Sequence, residues 1–281
     1  MNKKNKSRIV ILGAQGFIGN AIAKKCSDNN FLVLNLSRQD IDLSQSSASK
    51  KLGNTLQDGD SVVVAAAVAP VKTVEMLNLN LRMAEQIVKA CQTKKLKYFL
   101  NISSDAVYED SVAPLTENSL RAPLSLHGVM HLARELCFDT LQAPVGTLCP
   151  TLVYGLGDPH NGYGPNQFSR LVKESSNIEL FGKGEELRDH VFIDDVAKIS
   201  MSMLKSNAAE RLNVASGEVV SFESIATSCL KISGSKEKIL YKDRNGSMPH
   251  NGYRAFDISK IRLLFPTFKP TLLREGLEEL F

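Results

Sequence analysis

The chain lacks tryptophan and any long apolar run. Its first apolar stretch, residues 9–12, has only four residues, whereas a membrane span needs ~20 and a signal peptide needs a longer apolar core. Cysteine is scarce, and no C-x-x-C spacing occurs among Cys26, Cys91, Cys137, Cys149 and Cys229. An odd, scattered set argues against a disulfide framework. These absences predict a cytoplasmic protein that is not associated with a membrane.

A strong excess of one charge sign is also missing, because the net charge is only +4. The densest basic run, residues 3–8, is expected to be a solvated tail rather than a nucleic-acid arm. Hydrophobic residues make up 43% and charged residues 23% of the chain, as is ordinary for a globular protein. A chain of 281 residues can bury a full core as one large α/β domain or two unequal ones.

Three glycines follow the first apolar run at a regular spacing. An apolar run at residues 8–12 is followed by Gly13, Gly16 and Gly19 in the spacing G-x-x-G-x-x-G, and then by a helical segment at 20–28. A strand, a glycine turn and a helix form a site where backbone can approach a pyrophosphate at a helix N-terminus. The expected cofactor contacts here are Gly13, Gln15, Gly16, Phe17, Ile18 and Gly19. The alternative is a packing turn without a ligand.

Apolar runs at strand length alternate with helical segments over the first ~150 residues. The expected strands are 31–36, 61–67, 98–103 and 144–149, and the expected helices include 74–93 and 126–140. This alternation predicts an α/β fold with a doubly wound parallel (Rossmann) sheet. We expect a dinucleotide-binding domain at 7–154, rejoined by about 190–214, and a smaller substrate-binding region at 155–189 and 215–281.

Four motifs together resemble extended short-chain dehydrogenases of the nucleotide-sugar epimerase, dehydratase and reductase group. The segment 123–135, P-L-S-L-H-G-V-M-H-L-A-R-E, resembles the family's Pro before Tyr-Gly-x-x-Lys with a later Glu, but His127 and His131 stand at the Tyr and Lys positions. N-I-S-S-D-A-V-Y at 101–108 resembles S-[ST]-x-x-V-Y. C-P-T-L-V-Y-G at 149–155 and R-D-H-V-F-I-D-D-V-A at 188–197 resemble R-P-x-x-V-Y-G and R-D-[FY]-V-x-V-x-D-[VL]-A. The resemblance spans residues 8 to about 275.

The resemblance implies roles for particular residues. Ser104 would hold a sugar oxygen during proton transfer, and Asp105 matches an acid of nucleotide-sugar dehydratases, although their adjoining Glu is Ala106 here. Arg188 matches a clamp on the nucleotide-sugar pyrophosphate, and Arg254 matches a late motif. The substrate is expected to be a sugar or sugar nucleotide.

No acidic residue stands at the end of the second expected strand, where an NAD-binding fold usually places one. Ser37 and Arg38 stand there instead, and a hydroxyl with a guanidinium suits a 2′-phosphate. The sequence therefore favours NADP over NAD. Further cofactor contacts implied by the resemblance are Asp42, Leu43, Ala65, Ala66, Ala67, Asn80, Ile102, His131 and Pro150, Asn80 by helping to hold the active-site helix.

Three hypotheses address the missing Tyr and Lys. In the first, His127 is the acid/base, since imidazole needs no lysine to exchange protons near neutrality, and His131 bonds the cofactor ribose. In the second, the site is catalytically altered or inactive and the protein only binds a nucleotide or sugar nucleotide. In the third, His127, His131 and Glu135 hold a metal, but helical rise puts the outer two about 12 Å apart, so no metal is predicted. Glu135 is then expected to be a helix-surface or bundle residue.

The loop at 160–166, H-N-G-Y-G-P-N, is expected to grip a sugar or base. Tyr154, Tyr163 and Asn166 are its candidate substrate contacts, and either Tyr could supply the missing phenol. The resemblance also implies a homodimer formed by the helices at about 74–93 and 126–140. The predicted function is hydride transfer to or from a nucleotide-activated sugar, as an oxidoreductase or epimerase.

Overall fold

The computed structural model describes residues 8–281, so most of the basic run at residues 3–8 lies outside the described residues. The strands, numbered in chain order, are β1 Arg8–Leu12, β2 Leu32–Leu36, β3 Ser61–Val64, β4 Tyr98–Ile102, β5 Val145–Pro150, β6 Leu152–Tyr154, β7 Ile178–Phe181, β8 Leu187–Phe192, β9 Arg211–Val214, β10 Val219–Ser221, β11 Ile239–Lys242 and β12 Tyr253–Arg254. The helices are α1 Phe17–Asp28, α2 Ala48–Thr55, α3 Val74–Cys91, α4 Leu126–Phe138, α5 Pro165–Lys173, α6 Ile193–Ser206, α7 Phe222–Ser233, α8 Ser259–Leu264 and α9 Leu273–Glu278, with 3-10 turns at Asp105–Val107 and Pro249–Gly252. Within the described residues, no helix is long and apolar enough to cross a membrane.

A six-stranded sheet in the order β2-β1-β3-β4-β5-β9 confirms the predicted α/β fold. The pairs from β2 to β5 are parallel. The central strands β3 and β4 are buried at every residue, as expected where helices cover both faces of a parallel sheet. The strand order reverses at β1, which has β2 on one side and β3 on the other. Such a switch point opens a crevice at the carboxyl ends of the strands.

One face of this sheet is covered by helices α2, α3 and α4. Ile87 of α3 and Phe138 of α4 pack with Val10, Val62 and Phe99 of the strands in one apolar core. Helix α3 begins where the Thr73 side chain accepts a hydrogen bond from the Met76 N–H, and Ser125 caps α4 in the same way through the Gly128 N–H. These caps fix where both helices begin.

The predicted end of β3 was wrong, and β8 extends beyond its apolar run. β3 ends at Val64 rather than residue 67 because its neighbour β1 ends at Leu12, the register partner of Val64. Residues 65–67 are therefore released from the sheet. β8 begins at Leu187 although only residues 191–193 form an apolar run in the sequence, because the polar residues 188–190 are buried within the strand. Buried polar residues do not produce an apolar run.

The chain divides into two compact units. The first contains the six-stranded sheet and comprises residues up to Glu109, Leu120–Cys149 and Val196–Leu212. The second comprises Asp110–Ser119, Pro150–Asp195 and Asn213–Phe281. The segment 110–119 belongs to the second unit, where Leu115 forms a β-bridge with Phe256.

The second unit is built around β8. This strand pairs with β10 in antiparallel fashion and with β12 and β6 in parallel, and β7 pairs with β11. Its core includes Phe168, Ile178, Phe222 and Ile225. Apolar residues of α5 and α7 thus support the strands that carry the predicted substrate residues.

Candidate functional site

The glycine turn in the first unit has the geometry of a dinucleotide cradle. Gly13 has φ +85°, and a Cβ there would lie 2.7 Å from the backbone nitrogen of Ala66. A Cβ on Gly19 would collide with the carbonyl oxygen of Gly13, so α1 can start this close to the turn only with glycine. Helix α1 has neither a side-chain cap nor an acidic residue in its first turn. Its first N–H groups therefore remain available for an anion.

A cleft of about 400 Å³ opens beside this turn, at the carboxyl ends of β1, β2 and β3. Of the predicted cofactor contacts, the cleft is lined by Gly13, Gln15, Gly16, Ser37, Arg38, Asp42, Leu43, Ala65, Ala66 and Ala67. The cleft is also lined by residues that were not predicted, namely Leu12, Leu36, Ile41, Ser44, Val68, Leu79 and Met83. Two of these are the last residues of β1 and β2, and strand ends beside a glycine turn could have predicted them. Predicted contacts that are not among the lining residues are Phe17, Ile18, Gly19, Asn80, Ile102, His131 and Pro150.

Ser37 and Arg38, the two residues after β2, each have an aspartate as a neighbour. The Ser37 hydroxyl and backbone N–H both donate to the Asp40 carboxylate, at 2.7 and 2.8 Å. Arg38 is exposed and lies 3.4 Å from the Asp42 carboxylate. Hydrogen bonds from Ser37 lower the pKa of Asp40, and those from Ser44 lower the pKa of Asp42. The Asp42 carboxylate and the Arg38 guanidinium thus line this end of the cleft, and Asp40 holds the Ser37 hydroxyl beside them.

A wall of the cleft is fixed by Asn80 of α3. This side chain is fully buried. Its Oδ1 accepts from the Val68 N–H at 2.9 Å, and its Nδ2 donates to the carbonyls of Val68 and Met76 at 2.9 and 2.8 Å. Asn80 therefore holds the segment after β3. That segment continues to Val71, whose N–H donates to His127 at the head of α4, and the expectation that Asn80 helps to hold the active-site helix stays a prediction.

The first turn of α4 lies against the 3-10 turn Asp105–Val107. A Cβ on Gly128 would collide with the carbonyl oxygen of Ala106, which explains why glycine follows His127. Ser104 caps the 3-10 turn by accepting from the Ala106 N–H at 3.1 Å, and its hydroxyl lies 3.3 Å from Asp105 Oδ1. The structure thus brings the predicted Ser104 and Asp105 to the head of the helix that carries both histidines.

His127 and His131 form an edge-to-face pair, with ring centroids 4.7 Å apart. His127 Nδ1 accepts from the Val71 N–H at 3.4 Å, which leaves Nε2 for proton exchange with a reactant. Burial lowers the pKa of His127, partly offset by the charge of Asp105. Burial, Arg134 and His127 together lower the pKa of His131 well below its ordinary value. Both rings are uncharged at neutral pH.

Glu135 was predicted to be a surface or bundle residue, and this prediction is wrong. Its side chain is fully buried. The carboxylate accepts a short hydrogen bond from Ser103 and pairs with Arg121 at 3.1 Å and Arg211 at 2.6 Å. Cys149 stands beside it, at 3.9 Å, in the position where the resemblance expected Arg. Arg121 and Arg211 therefore neutralise Glu135, and Glu135 is not free to join the histidines at a metal.

In the second unit, Arg188 of β8 and Arg254 of β12 are register partners on adjacent strands. Arg188 pairs with Glu186 at 3.0 Å, and Arg254 pairs with Asp110 at 2.9 Å. Arg244 and His250 pair with the same two carboxylates. This cluster holds more cationic than acidic side chains, as a site for an anionic group would.

The predicted substrate role of Tyr154 is wrong. Its side chain is 1% exposed, its hydroxyl lies against Gly276 of α9, and burial raises its pKa. Tyr163 is half-buried, its ring centroid is 4.6 Å from that of Phe222, and its hydroxyl accepts from the Phe181 N–H at 3.2 Å. Burial also raises the pKa of Tyr163. Neither phenol is activated as the missing acid/base would need to be.

Asn166 opens helix α5 and is buried. Its Oδ1 accepts from the Gly155 N–H at 3.0 Å. This bond joins the two ends of the glycine-rich loop that follows β6. Asn166 therefore shapes the predicted sugar-binding loop.

The fold and the cleft together define a dinucleotide-binding α/β protein. Residues 9–215 match the NAD dependent epimerase/dehydratase family. Because this match covers most of the chain, the protein belongs to that family.

Related proteins agree with this assignment. The chain is 26% identical over 208 residues to the "uncharacterized UDP-glucose epimerase YtcB" of Bacillus subtilis, covering 70% of this chain and 64% of that protein. It is 31% identical over 137 residues to the dTDP-4-dehydro-6-deoxy-D-allose reductase of Streptomyces bikiniensis, covering 46% of this chain and 40% of that one. It thus spans less than two thirds of the length of either relative.

A solved structure extends the likeness over almost the whole chain. The UDP-glucuronic acid 4-epimerase of Bacillus cereus, in complex with UDP-glucuronic acid and NAD, has a TM-score of 0.82 and 23% identity, covering 97% of each chain. At this identity the likeness supports the fold.

Proposed function

We propose that this protein is an NAD-dependent oxidoreductase or epimerase that acts on a nucleotide-activated sugar. One observation carries the proposal most: the two uncharged histidines at the head of α4 lie in the same unit as the glycine cradle, beside Ser104 and Asp105. A cofactor cleft and a proton-transfer group are the two parts that hydride exchange at a sugar carbon requires.

The cofactor proposal is NAD rather than NADP, which revises the preference drawn from sequence. The Ser37 hydroxyl is committed to Asp40, and Arg38 lies close to Asp42. A 2′-phosphate there would meet the Asp42 carboxylate and would lack the Ser37 hydroxyl as a donor. Ribose hydroxyls could instead donate to Asp42. The Bacillus cereus structure, which contains NAD, also supports this choice.

The bound cofactor would supply hydride exchange with a sugar carbon, and the chain itself would handle the oxygen on that carbon. Ser104 would hold this oxygen by a hydrogen bond, and His127 would exchange the proton through Nε2. His131 would present an uncharged ring to the cofactor ribose. Because burial keeps His127 uncharged, it can take a proton at neutral pH without the lysine that a tyrosine would need.

The second unit is proposed to bind the substrate nucleotide. Arg188 and Arg254 stand side by side on adjacent strands, and bidentate guanidinium groups suit phosphate oxygens. Asn166 and Tyr163 would shape the loop that holds the sugar or base. The sugar nucleotides named for the relatives are consistent with this class of substrate.

A homodimer is proposed through helices α3 and α4. Val74 of α3 and Val129 and Leu136 of α4 are exposed apolar residues, the last 56% exposed. Burial of these faces in a four-helix bundle would remove them from water. Light scattering should then give twice the chain mass, whereas a single chain mass would contradict the dimer.

The first test identifies the cofactor. Freshly purified protein is denatured and the released nucleotides are identified by mass spectrometry, and stripped protein is then titrated with NAD and NADP. Released NAD, or tighter binding of NAD than of NADP, supports the proposal. No release together with no binding of either dinucleotide would overturn it.

The second test addresses the competing hypothesis of a binding protein without activity. Protein loaded with NAD is mixed with UDP-sugars, and the nicotinamide absorbance and the sugar products are followed. A change in either supports an enzyme. Tight binding of both ligands without any chemistry would favour the binding protein.

A further inference from the structure

Arg134 of α4 is a buried cation that the proposed chemistry has not used. It follows His127 by seven residues and His131 by three, so that it shares their helix face. The residue is only 2% exposed. Its guanidinium donates to the Ala66 carbonyl at 3.0 Å and lies 5.6 Å from the centroid of the Phe138 ring. Ala66 in turn lines the cofactor cleft.

This cation is unusual because, among residues 8–281, no carboxylate forms an ion pair with it. Burial lowers the pKa of Arg134 to about 10, which still leaves the guanidinium charged at neutral pH. A buried charge held by one carbonyl, the Met130 sulfur and one aromatic ring is costly. An apolar side chain would fill the same space at less cost, so the charge itself needs an explanation.

The neighbours of Arg134 supply that explanation. The charged and titratable groups that act on the histidine pair are Asp105 from the 3-10 turn, Arg134 from α4, and each histidine on the other. Asp105 favours the charged form of His127, and Arg134 opposes it. No carboxylate offsets Arg134 at His131. Burial is the largest cause of the lowered pKa at both rings, and the Arg134 charge, one helical turn from His131, is the next largest cause at His131.

We infer that Arg134 is a positioning residue of the reaction centre: its buried charge, on the helix face that carries His127 and His131, adds to burial in opposing a second positive charge on the histidine pair. It would thereby do for the histidines the electrostatic task that the family's Lys does for its Tyr. The inference rests on the proposed role of His127. It also explains why a charged residue is buried at position 134, about one helical turn after His131.

The test separates charge from packing. Arg134→Met and Arg134→Gln remove the charge, whereas Arg134→Lys keeps it and loses the planar donor group. The full-length protein is labelled at its histidine rings and titrated by NMR without cofactor or substrate. His127 and His131 signals are assigned with His127→Gln and His131→Gln, and exposed His160 is the internal reference.

Loss of the charge should raise the midpoints of His127 and His131 by about half a pH unit or more, while Arg134→Lys leaves them near the wild-type values. Circular dichroism checks folding, and Arg134→Gln serves if Arg134→Met does not fold. Unchanged midpoints in either folded, uncharged variant would overturn the inference, as would equal shifts in the lysine variant. Because no cofactor is involved, failure here is distinguishable from failure to bind NAD.

Discussion

His190 should make the second unit sensitive to mild acid. The side chain lies on β8 and is only 4% exposed, with its ring 5.7 Å from that of Phe222. The pKa of His190 is lowered from 6.5 to about 3, and burial is the main cause. A backbone hydrogen bond to Arg188 raises the pKa, but by less than burial lowers it. The pKa is thus depressed in the folded state, so the unfolded chain binds the proton first as the pH falls. The stability that this residue contributes above pH ~6.5 is therefore lost progressively between pH ~6.5 and ~3.

The size of the effect follows from the difference in pKa. At pH 5 the unfolded His190 is charged and the folded one is not. The free energy of unfolding is then lower by about 2 kcal/mol, because pH 5 lies ~1.5 units below the unfolded pKa of ~6.5 and each unit contributes ~1.4 kcal/mol. This figure does not depend on the folded pKa as long as that pKa stays below ~4. His190→Phe removes the titration, so the variant should lose about 2 kcal/mol less than the wild type between pH 7.5 and pH 5.

Urea unfolding followed by circular dichroism at several pH values measures this difference. Exposed His160→Phe is the matched control and should follow the wild type. Asp189, whose pKa burial raises to about 6, is present in every variant, so its contribution cancels in the comparison. Parallel stability curves for His190→Phe and the wild type would refute the reasoning.

Three further substitutions test other parts of the structure. Gly19→Ala should weaken NAD binding roughly 5- to 150-fold, because overpacking against the Gly13 carbonyl costs about 1–3 kcal/mol; titration calorimetry measures this, and exposed Gly162→Ala, which meets nothing within 4 Å, should bind normally. Glu135→Gln leaves Arg121 and Arg211 without their carboxylate and should cost about 3 kcal/mol of unfolding free energy, whereas Glu85→Gln, which breaks the exposed pair with Lys89, should cost less than about 0.5 kcal/mol; equal losses would contradict the role of the buried cluster. Asp42→Asn should raise the affinity for NADP relative to NAD, since the carboxylate that lines the cleft beside Arg38 is removed; an unchanged ratio in paired titrations would place the adenosine ribose elsewhere.

The sequence predicts the sheet and the cradle because their signals are local. Continuous apolar runs indicate buried parallel strands, and glycine spacing after β1 indicates the turn. The histidine pair could also be predicted from the sequence, since the spacing of His127 and His131 puts both on one helix face.

Long-range partners account for what the sequence did not predict. Glu135 was expected at the surface although it follows the buried His131 by one helical turn, and its burial depends on Arg121 and Arg211, 14 and 76 residues away in the chain. The same holds for Tyr154, whose hydroxyl lies against Gly276. Charged and polar residues whose partners are distant in sequence give no periodic pattern, so their burial emerges only from the fold.

The central claim is that His127 exchanges the proton of the reacting sugar. The most direct measurement compares wild-type protein and His127→Phe for sugar-dependent change of bound NAD, with NAD affinity measured in both. The account predicts that affinity is retained and that the rate falls by about 10²-fold or more, as loss of a general acid/base does. Wild-type turnover in His127→Phe would contradict it.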